Sequence, residues 1–540
     1  MWSYAETTGT VLALCISLVG AGRAQTVPPW SGQFQQGYLA LRQHHLDEAR
    51  LDFTRLWNAY RGDYELAYAI GTAFDSTSYH RRATGWYQKS LRLNPRFAPA
   101  YNNLALNQIV QGEPRSALAL LTKVTTLERG NAAAFYNLGL VEFQLGRYAG
   151  ATRSFRQAHA LKPDAPDPLG HLAEACFRSG EQAEGLKAIG ELVRLPGKPE
   201  DLALLAARIL NSAGLYAQGL AQARTGLRIA ASPAPLAFQE ANALFHLGRY
   251  SEATAALRSI TPVDGDQLNY HLLLGSAQAL AGNLPDAVTT LQTAVRIAPQ
   301  EPDAYYRLAF VFLKGYRDQD ARNVLAEGIR LVPGSPLLYY AHGLVNEVDG
   351  RYRQAIEDLR HALRLQPHQP GAWAELGRLS AKADDYPHAF AAYETALSQG
   401  APTSDVVDYA NLLLRFGRLT QAKRLLDEVM KRHPDQAEAY LRLGEVYEKE
   451  SNYIQAAKLL ERARALDPDS AEVHILLARA LRGVGQAQAA REEQELAART
   501  LLNAAERERR RLLRRVLIPE LASAGTSEAH RSLSHSPTLP

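Results

Sequence analysis

Residues 132–165 read AAAFYNLGLVEFQLGRYAGATRSFRQAHALKPDA. Apolar residues recur with helical period on both sides of Leu145-Gly146-Arg147, and the stretch closes at Lys162-Pro163-Asp164. Gly139 and Ala151 lie twelve residues apart, and Phe155 follows Ala151 by four, on the same helical face. Gly146 suits the left-handed conformation after a helix end, and Pro163 stops the second helix. The stretch therefore predicts two antiparallel helices whose backbones meet at small residues, where a larger side chain would splay the pair.

The same spacing extends over most of the chain. The first small position recurs every 34 residues at Gly37, Gly71, Ala105, Gly139, Ala173, Ala207, Ala241, Gly275, Ala309, Gly343 and Gly377. Ala410 follows after 33 residues, then Gly444 and Ala478 after 34 each. The second small position, twelve on, runs from Ala49 to Ala490, and all 28 positions are Gly or Ala. Four residues beyond it comes a filler such as Phe53, Tyr87, Leu121, Phe155, Leu291 or Leu460. Glycines mark the turn within the hairpin at Gly112, Gly146, Gly180, Gly214, Gly248, Gly282, Gly350, Gly417 and Gly485. Prolines such as Pro95, Pro299, Pro367 and Pro468 end the second helices. A period of this length signifies a stacked repeat array with no single large core. The 33-residue step falls between Ala389 and Ala410, at the Gly400-Ala401-Pro402 turn.

The pattern resembles the tetratricopeptide repeat family, with Ala134-Phe135-Tyr136-Asn137-Leu138-Gly139 and Ala372-Trp373-Ala374-Glu375-Leu376-Gly377 as clear examples. The resemblance covers about residues 30–503, as fourteen repeats beginning near 30, 64, 98, 132, 166, 200, 234, 268, 302, 336, 370, 403, 437 and 471. It implies an all-α fold, a right-handed superhelical solenoid of antiparallel helix hairpins with the first helices lining the concave face. A pentatricopeptide array, typically of period 35, is excluded by ten consecutive steps of 34. The repeats near 200 and 234 are degenerate, with Ala223 at the filler position and Glu240 where an apolar residue is expected.

Composition agrees with a soluble protein: 46% hydrophobic and 21% charged residues, with a formal charge of +4 that argues for no general nucleic-acid binding. Val11 to Ala21 is an apolar run too short to span a bilayer comfortably, followed by Gly22-Arg23-Ala24 with small residues for cleavage before Gln25. Residues 1–24 thus read as an export signal, although residues 1–10 carry Glu6 and no Lys or Arg. Cleavage would remove Cys15 and leave Cys176 alone, with no intramolecular disulfide. The solenoid is expected over 25–503, a basic capping helix over 504–519 and a disordered Ser-, His- and Pro-rich tail over 520–540. In the cap, Arg507, Arg509, Arg510, Arg511, Arg514 and Arg515 suit an anionic surface, with a solvated, internally paired helix as the competing reading.

No catalytic motif is found. Gly197-Lys198 lacks the flanking residues of a phosphate loop, there is no HExxH or GxSxG, and Asp264-Gly265-Asp266 lacks the further ligands of a calcium loop. The repeats consume the chain from 30 to 503, so no enzyme activity, cofactor or metal is expected.

The resemblance implies that the fifth, ninth and twelfth residues of each first helix face the groove. Two apolar clusters result: Leu106, Ile109, Tyr136, Leu140 and Phe143, and Tyr306, Phe310, Leu313, Tyr340 and Leu344. Exposed, they would form interaction patches for a peptide segment with apolar anchors; the competing reading is that consecutive first helices bury them. The sixth position carries asparagine only at Asn103 and Asn137, and Arg378, Arg442, Glu445, Glu448, Arg479 and Arg482 make the C-terminal part of the face charged, suited to a polar partner region. The expected function is a protein-binding scaffold or adaptor in the periplasm or cell envelope, with no specific nucleic acid as partner. The alternatives are a non-catalytic subunit of an envelope enzyme, a part of a polysaccharide or protein export assembly, or a cytoplasmic adaptor if the signal is retained.

Overall fold

The computed structural model describes residues 28–261 and 267–501. Among them lie 28 α-helices and no strand. They pair into fourteen hairpins, from Ser31–Arg42 with Leu46–Ala59 to Ala471–Gly483 with Ala487–Leu501. The repeat phase read from the small residues is the phase of these helices. The export segment 1–24, the basic cap 504–519, the tail 520–540 and Asp264-Gly265-Asp266 lie outside the described residues.

The hairpin turn is the most regular feature of the repeat. Its residue has positive φ in every repeat: nine are the glycines predicted for this place, from Gly112 (φ 78°) to Gly485 (φ 86°). The other five are His44, Ser78, Tyr316, Asp384 and Ser451, at φ 59–66°. Non-glycine residues adopt this conformation at a cost of about 1 kcal/mol, so the hairpin geometry overrides local preference there. The missing residue of the 33-residue step is lost from a helix. Tyr386–Ser398 has 13 residues where Tyr352–Leu365 has 14, and Gly400 (φ 81°) ends the turn beyond it.

A recurring bond joins five of the first helices to the preceding turn. The ring at the helix's fourth position donates to the proline carbonyl six residues earlier: Tyr101 to Pro95, Tyr305 to Pro299, Trp373 to Pro367 and Tyr440 to Pro434, at 2.9–3.2 Å. In the last repeat His474 Nε2 takes this place, 2.8 Å from the Pro468 carbonyl. The proline ends one helix, and its carbonyl anchors the start of the next.

The chain divides into two compact bodies, one ending at Ala243 and the other beginning at Leu244. In the first, the fillers Phe53, Tyr87, Leu121 and Phe155 are buried among the small residues of their own hairpins. Its degenerate repeats compensate locally. Ala223 is buried without a filler ring, and Glu240 accepts from Arg224 Nε at 2.7 Å. In the second body one continuous core spans the hairpins between Leu272 and Val345, and further cores follow toward Ala490.

Candidate functional site

The two apolar clusters expected on the first-helix face have different fates. In the second body Tyr306, Phe310, Leu313 and Leu344 are buried, at 1–3% exposure, within the core from Leu272 to Val345, and Tyr340 packs half-buried against it. Their expected role as an accessible surface gives way to a role in packing. The reason is that neighbouring repeats carry bulk at equivalent positions: Leu272, Tyr306 and Tyr340 follow one another at the fifth position, and Phe310 and Leu344 at the ninth. Each first helix covers its neighbour's side chains.

In the first body Leu106, Ile109, Tyr136, Leu140 and Phe143 are all half-buried. They lie on the consecutive first helices Ala98–Val110 and Ala132–Gln144. Ile109 leans on the core of Ala105, Leu121 and Val141, while Tyr136, Leu140 and Phe143 lean on Phe155, Leu169 and Cys176. Here the next repeat offers Gly170 at the fifth position, where the second body has Tyr340 after Tyr306. A Cβ on Gly170 would face Ile209 and Leu205, and the half-buried Tyr136 instead packs beside the Phe155 and His171 rings, with centroids 5.8 and 5.6 Å apart.

Polar groups complete this face. Asn137 Nδ2 donates to Asn102 Oδ1 at 3.4 Å, Asn102 Nδ2 to Asn103 Oδ1 at 3.4 Å, and Asn103 Nδ2 to the Tyr68 hydroxyl at 3.0 Å. Asn103 and Asn137 are legible in the sequence as sixth-position residues; Asn102, at the fifth position, completes the chain and carries no such sequence signal. An amide carries two donors and two acceptor sites, so the half-buried Asn102 and Asn103 retain capacity for further hydrogen bonds, while Asn137 is buried. A neighbouring network is closed on itself: Asp75 accepts from the Tyr87 hydroxyl at 3.0 Å and from Asn107 Nδ2 at 2.9 Å, with His80 Nδ1 at 2.7 Å.

The charged C-terminal part of the face is largely self-paired. Glu347 faces Arg378 of the next repeat and accepts from Lys382 Nζ at 2.9 Å. Burial alone would raise the Glu347 carboxyl, but the Arg378 and Lys382 charges and hydrogen bonds outweigh it and hold the group at about 2. Arg442 is nearly buried and reaches Glu472 of the following repeat at 2.6 Å, besides Glu438 and Glu445 on its own helix. Arg479 returns to Glu448 at 2.7 Å. These pairs tie successive first helices together. Arg482 is exposed and reaches the Ala478 carbonyl at 3.4 Å. Among the described residues no group of three or more His, Cys, Asp or Glu is placed to hold a metal ion, and no helix is long and apolar enough to cross a membrane. Cys176 is buried, and burial pushes its thiol up, the opposite of an activated nucleophile.

A family model described as tetratricopeptide repeat matches residues 102–166, 238–302, 281–336, 340–405 and 408–471, and a second model of the same description matches 447–511. No curated protein matches the sequence. Among solved structures the chain is similar to the APC/C hetero-tetramer Cut9-Hcn1, at 16% identity over 88% of this chain and 99% of that one, with a TM-score of 0.37. It is also similar to yeast Tom70, at 14% identity over 89% of this chain and 100% of that one, with a TM-score of 0.36.

Proposed function

Because the chain belongs to the tetratricopeptide repeat family, we propose that it is a protein-interaction scaffold that holds an apolar segment of another protein on the first-helix face of its third and fourth repeats. The observation that carries this reading is the grouping of Leu106, Ile109, Tyr136, Leu140 and Phe143 as half-buried side chains on adjacent first helices, while four of the five equivalents in the second body are core. Partly exposed apolar groups gathered on one face gain by desolvation against a partner, by about 25 cal/mol per Å² covered. The half-buried amides of Asn102 and Asn103 supply hydrogen-bonding capacity beside them. In this role the chain binds and does not catalyse.

Capture of partners by the mature protein tests the reading. Leu140→Asp, with helix content checked by circular dichroism, is expected to abolish capture through this face. Retention of every captured partner by that variant would exclude the patch.

The apolar run Val11 to Ala21 and the small residues Gly22 and Ala24 support export, so the scaffold is proposed to act in the periplasm or cell envelope. N-terminal sequencing of native protein is expected to begin at Gln25; a retained leader would place the same scaffold in the cytoplasm. The six arginines from Arg507 to Arg515 support an additional contact with an anionic surface. Liposome co-sedimentation unchanged by deletion of residues 504–540 would remove that contact.

A further inference from the structure

The apolar patch of the first body ends at a negative edge. In the third and fourth repeats the fifth, ninth and twelfth positions carry Asn102, Leu106 and Ile109, then Tyr136, Leu140 and Phe143, with no formal charge. The fifth repeat begins differently. Asp167 is exposed in the first turn of helix Pro166–Ser179, and Glu174 is half-buried two turns later on the same face. His171 lies between them, with Nδ1 3.1 Å from Glu174 Oε2 and its ring beside that of Tyr136. Burial first, and then the charges of Asp167 and Glu174, push the Tyr136 phenol far above its ordinary value. The charges that act on this half-open ring are both negative.

A cation there would meet the exposed Asp167 carboxylate and, beside it, Glu174 with its His171 contact at the margin of the Tyr136 ring, whereas a carboxylate would be repelled. We propose that this edge seats a single basic side chain, Lys or Arg, of the bound segment, so that the partner carries apolar residues followed by one positive charge. This rests on the reading of the apolar patch as the binding face, and adds to it the charge and the end of the segment that carries it.

The test is fluorescence anisotropy of the full chain with a short fluorescein-labelled peptide of alternating Leu and Gln ending in one Lys, compared with the same peptide ending in Glu. The Lys peptide is expected to bind about tenfold more tightly, with the preference shrinking as salt is raised. The double variant Asp167→Asn, Glu174→Gln is expected to bind both peptides alike, with the apolar contribution intact. Equal binding of the two peptides by the unaltered chain overturns the basic-residue seat and leaves the apolar patch standing. Absence of binding by either peptide, or binding that Leu140→Asp does not weaken, overturns both.

Discussion

The Phe155 ring lies directly on the Cα of Gly139: a Cβ built on that glycine would come within 2.6 Å of the ring. The same relationship joins Gly37 to Phe53, Gly71 to Tyr87 and Gly377 to Tyr393. The first small position is therefore small because the filler, sixteen residues on, rests against it. The sequence pattern alone pointed to the approach of two backbones; the structure shows a ring against a backbone as the tighter constraint.

Gly139→Ala is accordingly expected to destabilise its hairpin by about 1–3 kcal/mol, because the buried Phe155 ring must move. Gly130→Ala, where a Cβ meets nothing within 4 Å, serves as the control and is expected to change little. Amide hydrogen exchange read hairpin by hairpin is the suitable measurement, since a repeat array need not unfold as one unit. Equal protection in the two variants would refute the close-contact explanation.

The hairpin turn yields an opposed pair of substitutions. Ser451 holds φ 61° at the position where Gly146 holds 70°. Ser451→Gly is expected to relieve the strain and stabilise its hairpin by about 0.5 kcal/mol after the added unfolded-state entropy, and Gly146→Ala to cost about 1 kcal/mol. Local exchange at the helices flanking each turn reads both signs.

The ring-to-proline bond can be cut without disturbing packing. Tyr305 is fully buried, and its hydroxyl donates to the Pro299 carbonyl at 3.0 Å. Tyr305→Phe is expected to cost about 1 kcal/mol, seen as faster exchange at the start of helix Pro302–Lys314. An unchanged rate would mean that the hydroxyl only follows the ring.

Glu347 makes the second body sensitive to acid. Its carboxyl is lowered from 4.5 to about 2, so it is ionised in the folded chain where an unfolded one already takes up a proton. Its contribution is fully present above the unfolded value and is lost as pH falls through the folded value, a window of about pH 4.5 to 2. The shift corresponds to about 3 kcal/mol. Glu347→Gln is expected to weaken the junction with helix Pro370–Lys382 at neutral pH and to flatten the acid dependence there. An acid profile identical to that of the unaltered chain would show that Glu347 does not carry it.

How much was legible differs by feature. Repeat number, phase and the shortened step were readable, because each depends on a residue type that sterics require locally: Gly or Ala under a filler, Gly at positive φ, Pro after a helix. The turns at His44, Ser78, Tyr316, Asp384 and Ser451 carry no such local mark, and were readable only through the period. The bond from the fourth-position ring to proline had its signal in paired spacing, Tyr101 with Pro95 and Trp373 with Pro367, six residues apart each time.

Burial on the first-helix face was not legible from one repeat. Tyr136 and Tyr306 occupy the same position and have the same chemistry, yet one is half-open and the other 2% exposed. Their surroundings differ: Tyr306 lies inside the core that runs from Leu272 to Val345, whereas Tyr136 sits at the margin of the Phe155 and Leu169 core, beside His171. The sequence by itself determined that hairpins form and where each begins, since those are contacts within a hairpin and sterically strict. Only the tertiary structure decided which of these apolar side chains are buried and which stay partly open. Burial there is a relation between neighbouring hairpins, set by which side chains their stacking brings together.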